Sequence, residues 1–191
     1  GSFLFESVEG GERFARYSFI GRDPRVTLTC SGKETSVTEN GTSKTSDKNF
    51  FDIIHQNISK FHQPTVPGLP RFTGGLVGFI GYDAIRFVEN IPASGTNETN
   101  IPDSYLSLFT SLIVFDHLKH QIIIIVNVIV DKNKDFELQY KTALDEIDKL
   151  ESRLSNNPNR KLEFHYSESA LKSDIDQKSF ESMVMKAKGY I

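Results

Sequence analysis

"YLSLFTSLIVFDHLKHQIIIIVNVIV", Tyr105 to Val130, sets two runs rich in Leu, Ile, Val and Phe on either side of a short polar interruption, Asp116 to His120. Apolar runs of this length, bounded by turn-forming residues, read as strands, so the stretch predicts two long strands joined by a tight turn at Asp116 to His120. The second run, Ile122 to Val130, is too short to cross a bilayer as a helix and reads as a buried strand. A lone hairpin is marginal in water, so its apolar residues require further strands or helices packed on them.

The flanks supply both. From Phe3 to Glu39 the segments "FLFESV", "RFARYSFIG", "RVTLTC" and "ETSVTE" are separated by Gly10-Gly11, Gly21 to Pro24 and Ser31-Gly32, the spacing of an antiparallel meander. "DKNFFDIIHQNISKF" changes to helical spacing, with Phe51, Ile54, Ile58 and Phe61 on one stripe and Asp47 as the expected cap. Pro64, Pro67, Gly68 and Pro70 stop that helix. "RFTGGLVGFIGYDAIRFVE" reads as a glycine-punctuated strand running into a short helix near Asp83. From Phe136 to Leu154, Phe136, Tyr140, Ala143, Ile147, Leu150 and Leu154 follow each other in steps of three and four along one helical face. "SNNPNRK" reads as a linker and "LEFHYSES" as an isolated strand. "DIDQKSFESMVMKAKGYI" opens a helix capped by Asp174 or Asp176. The fold class expected is α+β, a sandwich of largely antiparallel sheets with helices outside. The chain ends inside an amphipathic pattern, as a truncated one would.

With 191 residues, 38% hydrophobic and 25% charged, and a formal net charge of −3, the chain has the composition of a soluble globular protein. Lys and Arg are scattered, with no basic stripe for nucleic acid and no polybasic patch for a membrane. The single cysteine, Cys30, allows no disulfide within the chain and fits a reducing, cytoplasmic setting as a small core residue. The residues before Phe3 do not read as a leader segment, so the chain is expected to be unsecreted and the sequons at Asn40, Asn57 and Asn97 incidental.

Gly74, Gly75, Gly78 and Gly81 lack the spacing of a dinucleotide loop and fall within the strand, so they are expected to admit the close approach of a backbone or a ligand. The five histidines, at 55, 62, 117, 120 and 165, read as surface or turn residues, since any metal would need ligands from remote segments. No catalytic set emerges from residue chemistry alone.

The remaining puzzle is "FLFESVEGGERFARYSFIG", Phe3 to Gly21, where Glu6, Ser7 and Ser18 interrupt apolar strands. Polar groups taken out of water need partners. If the two runs pair antiparallel, Ser18 comes level with Glu6 and Ser7. An acid, two hydroxyls and strand-end amides could then cage a ligand carrying an ammonium and a carboxylate, such as an amino acid. A water-facing sheet edge explains the same polarity equally well.

"LFES", ten residues, then Ser18 followed by "FIGRDP" resembles the L-L-E-S and R-Y-S-F-I-G segments of anthranilate synthase component I, with Phe5 in place of the second Leu. "GLPRFTGGLVGFIGYDAIRFVE" resembles that family's P-R-F-x-G-G block, "PDSYLSLFTSLIVFDHLK" its block ending V-F-D-H, and "DQKSFESMVMKAKGYI" the helix that opens its chorismate-binding domain. The segments keep the family's order and span nearly the whole chain.

This resemblance implies an N-terminal regulatory domain over 1–155, a linker and strand over 156–170, and the start of a truncated chorismate-binding domain over 171–191. It implies a full-length enzyme, a lyase, that converts chorismate and ammonia from a glutamine amidotransferase subunit into anthranilate and pyruvate. Mg2+ would be its cofactor and tryptophan its allosteric feedback inhibitor. Glu6, Ser7, Tyr17 and Ser18 would line the tryptophan site, while no catalytic or metal-ligating residue carries over and the stretch would not catalyse alone. Aminodeoxychorismate synthase component I of the folate pathway is the related alternative, and a free-standing amino-acid-binding module the alternative of another class.

Overall fold

In the computed structural model the described residues are 1–6, 16–59, 61–92, 100–156 and 173–190. They belong to two compact units, Gly1–Asn156 and Asn157–Ile191.

The hairpin in Tyr105–Val130 forms as expected, but its first run is two strands rather than one. β7 (Ser104–Phe109) and β8 (Ser111–Asp116) lie in different sheets, with Thr110 between them, and β9 (Gln121–Val126) returns beside β8. β9 also stops short of Val130. At its end the Asn127 N–H still donates to the carbonyl of Thr110, the residue opposite it, at 2.8 Å, while its side-chain amide donates to the carbonyls of Thr73 and Thr110 at 2.6 and 3.1 Å. One side chain therefore secures the point where the chain changes sheets.

β1 (Ser2–Phe5), β2 (Tyr17–Arg22), β8 and β9 make a four-stranded sheet in the order β1-β2-β8-β9. β3 (Val26–Ser31), β4 (Glu34–Glu39), β5 (Thr42–Ser46), β6 (Gly75–Ile80) and β7 make a five-stranded sheet in the order β5-β4-β3-β7-β6. Every pairing is antiparallel. The expected α+β class of antiparallel sheets with helices is what the structure shows. β5 is an addition. It follows β4 through Asn40 and Gly41 at φ +50° and +76°, the left-handed pair that a two-residue hairpin loop requires.

The five-stranded sheet is covered on both faces. Val26, Leu28 and Cys30 of β3 and Leu106 and Leu108 of β7 pack against Phe50 and Ile53 of α1 (Phe50–Ile58). On the other face Val77 and Phe109 meet Leu112, Val114 and Ile125 of the four-stranded sheet, with Phe3, Tyr17, Phe19 and Phe72 around them.

The helices correct two expectations. α1 is capped by Asn49 rather than Asp47, and its fully buried residues are Phe50 and Ile53; of the expected stripe Ile54 and Phe61 pack against the same core, while Phe51 and Ile58 are left exposed. An amide suits this position better than a carboxylate. The Asn49 oxygen accepts from the Phe51 N–H at 2.9 Å, while its Nδ2 donates to the Phe87 carbonyl at 2.9 Å. The second is α2 (Phe136–Ser155), which packs along β9 and buries Leu150 but leaves Phe136, Tyr140 and Leu154 of the expected face exposed. Near Asp83 the expected short helix is a 3₁₀ helix, Tyr82–Phe87. In the second unit α3 (Gln177–Lys188) takes Asp176, one of the two expected residues, as its cap. The linker and strand read at "SNNPNRK" and "LEFHYSES" fall largely or wholly outside the described residues.

The glycine-rich strand admits backbone. A Cβ on Gly78 would stand 1.9 Å from the Tyr105 carbonyl oxygen on β7.

Candidate functional site

Ser18 lies in the middle of an apolar strand and is 4% exposed. Its hydroxyl is 2.7 Å from Nε2 of His117, the first residue after β8. The ladder explains the meeting. β2 pairs Tyr17 with Asp116 and Ser18 with Phe115, and the His117 N–H donates to the Arg16 carbonyl at 2.8 Å, so the turn after β8 closes over the start of β2.

Beside this contact stands an ion pair. Arg16 donates from Nε and Nη2 to the two carboxylate oxygens of Asp116 at 3.0 and 2.8 Å, and its guanidinium carbon sits 4.7 Å from the centre of the Tyr17 ring. Asp116 is 2% exposed, and one of its oxygens also accepts from the N–H groups of Leu118 and Lys119 at 3.2 Å. The hydrogen bonds from Arg16 outweigh desolvation and hold the Asp116 carboxyl down at about 2; the same pairing raises Arg16 above its ordinary value. With two cationic donors and two amides on it, Asp116 is fully used in fixing the turn.

Of the residues expected to line a site, Glu6 and Ser18 come to the same level. β1 pairs Phe5 with Phe19, so Glu6 stands one step past the last pair, opposite Ser18, and is exposed. Tyr17 does not share their face. It alternates with Ser18 along β2 and packs with Phe19 on the core between the sheets. Ser7 lies outside the described residues. Asp116 and His117, expected only as turn residues, and Arg16, given no role by the sequence, complete the corner. The available signal was an Asp-His pair at the end of one strand and an Arg at the start of another.

Comparison with known proteins bears on the chain as a whole. The family model described as chorismate binding enzyme matches residues 2–191. The chain belongs to the chorismate-binding enzyme family. Within that family it is similar to the N-terminal region of anthranilate synthase component 1 proteins. It is 38% identical over 197 aligned residues to the one from Acetivibrio thermocellus, covering 99% of this chain and 40% of that protein. With that of Acinetobacter calcoaceticus it shares 36% identity, covering 81% and 32%, and with that of Pseudomonas aeruginosa 33%, covering 100% and 40%. The chain thus spans about two fifths of the length of these relatives or less. The crystal structure of anthranilate synthase component I from Streptococcus pneumoniae superposes with a TM-score of 0.58 at 21% identity, over 97% of this chain and 40% of that one, and shares the fold of this chorismate-binding enzyme family member.

The Mg2+ expected for the full-length protein would need grouped oxygen donors. Among the described residues no three His, Cys, Asp or Glu side chains are gathered as a metal site requires, so no step through a metal follows from those residues. No helix among the described residues is long and apolar enough to cross a membrane.

Proposed function

We propose that this chain is the N-terminal, regulatory part of an anthranilate synthase component 1. The full-length protein would convert chorismate and ammonia, delivered by a glutamine amidotransferase subunit, into anthranilate and pyruvate in the cytoplasm, with Mg2+ required. Residues 1–155 form the regulatory domain, 156–170 a linker and strand, and 171–191 the start of the chorismate-binding domain. Tryptophan binds partly here, at Glu6, Ser7, Tyr17 and Ser18, and disfavours chorismate binding by linkage between the two sites.

The observation that carries this reading is the 38% identity over 99% of the chain to an anthranilate synthase component 1. The corner at Ser18 supports the regulatory half of it. A buried hydroxyl level with a carboxylate offers acceptors suited to an α-ammonium group.

The test uses the full-length protein with chorismate, an ammonium salt and Mg2+, following anthranilate fluorescence while tryptophan is titrated in. The reading expects anthranilate to form and tryptophan to suppress it, with Ser7→Phe resisting suppression relative to its own uninhibited rate. Accumulation of aminodeoxychorismate in place of anthranilate would move the chain to the folate-pathway relative. Tryptophan binding with no turnover would make it an amino-acid-binding module. Unaltered inhibition in Ser7→Phe would reduce the region to scaffold.

A further inference from the structure

The contact between Ser18 and His117 assigns a role to a residue that the family resemblance leaves without one. A hydroxyl has one proton and two lone pairs, and its direction is free unless a neighbour fixes it. Ser18 is buried in a strand otherwise made of Tyr, Phe, Ile and Gly up to Arg22, and among the described residues its Oγ meets the imidazole of His117. His117 in turn has little freedom. Its backbone N–H is bonded to Arg16, and the residues on either side of it are fixed through Asp116, which takes four hydrogen bonds from Arg16, Leu118 and Lys119. The imidazole is therefore delivered to Ser18 by a turn held from both strands, although the ring itself is exposed.

We propose that His117 is a positioning residue for the amino-acid site, acting through Ser18: Nε2 accepts the Ser18 hydroxyl proton and leaves the oxygen's lone pairs for the ligand's ammonium group. With the proton committed to the ring, Ser18 presents only acceptors, the same polarity as the Glu6 carboxylate at its level. Without the ring, the hydroxyl can turn its proton toward the ligand, and an ammonium then meets a donor. Arg16 and Asp116 hold the frame and do not touch the ligand, because each already spends its charge on the other. This inference rests on the reading of Ser18 as part of the tryptophan site.

The test is a double-mutant cycle in the full-length protein, reading the tryptophan concentration for half inhibition relative to each variant's own uninhibited rate, with melting temperatures as a check on folding. Losing the alignment of one hydrogen bond is worth about 2- to 13-fold. H117A should therefore raise half inhibition by that factor. H117Q, whose side-chain amide can reach the position of Nε2, should restore most of it. In S18A the histidine has nothing to position, so adding H117A to S18A should change half inhibition by less than about 2-fold. If S18A weakens inhibition but H117A does not, or if the two losses add in full, His117 does not act through Ser18 and the inference fails while the tryptophan site stands. If S18A leaves inhibition unchanged, Ser18 is not in the site, and both fail together.

Discussion

Replacing Gly78 by alanine tests whether the glycine-rich strand β6 was selected for a backbone or for a ligand. The new Cβ would lie 1.9 Å from the Tyr105 oxygen, 2.9 Å from its carbonyl carbon and 3.0 Å from the Leu106 Cα. Real Cβ atoms essentially never come within 3.0 Å of such atoms, so the strands must part by more than an ångström where Gly78 pairs with Leu106. No flexible side chain can move aside to absorb this, since all three obstacles are backbone. The φ of +157° adds strain for any residue with a Cβ. Strain of about 1–3 kcal/mol together with overpacking of about 1–3 kcal/mol gives a loss of roughly 2–6 kcal/mol. For a domain of this size that is a fall in melting temperature of roughly 4–24 °C.

Gly75→Ala is the internal control. Its φ of +140° imposes comparable strain, but its Cβ would meet only the Phe72 ring at an ordinary 3.5 Å. Scanning calorimetry should therefore show Gly78→Ala melting below Gly75→Ala, with both below the parent. If Gly78→Ala melts no lower than Gly75→Ala, β7 does not press on that glycine. Unchanged melting with altered ligand binding would show instead that the glycines make room for a ligand.

Two further outcomes follow from charge and burial. Asp116 titrates near 2 in the folded protein, against about 3.9 in an unfolded chain, so its ionised form stabilises the fold fully above about pH 4, and that contribution is lost as the pH falls toward 2. D116N should melt lower than the parent at pH 7 and lose less between pH 4 and pH 2; parallel pH profiles would show that the pair with Arg16 does not support the fold. Cys30 is completely buried and its thiol is raised chiefly by that burial, so a thiol reagent at pH 8 should label the native protein slowly and the guanidinium-unfolded protein at once. Equal rates would place Cys30 at the surface.

The fold was legible wherever one strand's alternation or turn chemistry carried the information. It was hidden wherever a partner decided. Tyr105–Phe115 is rich in Leu, Ile, Val and Phe with Ser107, Thr110 and Ser111 scattered through it, none of them a Gly or Pro, and β7 is buried on both faces, so no turn residue marks Thr110 as the point where the chain leaves one sheet for another. "TSKTS" went unread as β5 because an edge strand facing water needs no apolar side chains, although Asn40-Gly41 is the turn that announces it. At α1 the adjacent Phe50 and Phe51 let the apolar stripe be drawn in either of two phases. The sheet chooses Phe50, and Phe51 turns outward against Phe87.

The same division runs through the candidate site. Glu6 and Ser18 could be found because their polarity breaks a strand pattern, and simple antiparallel pairing brings them level. His117 could not be found that way, since its partner is 99 residues distant in sequence and its own surroundings are those of any hairpin turn. Tyr17 is instructive in the opposite sense. Family resemblance groups it with Ser18, yet alternation puts the two side chains on opposite faces of β2, one toward the inter-sheet core and the other toward His117. A single ligand can touch both only by approaching the end of the strand, where Arg16 lies over the Tyr17 ring and the turn from Asp116 closes above it. If the proposed ligand is to touch both, it must do so beside the Arg16–Asp116 pair, which fixes that end of the strand.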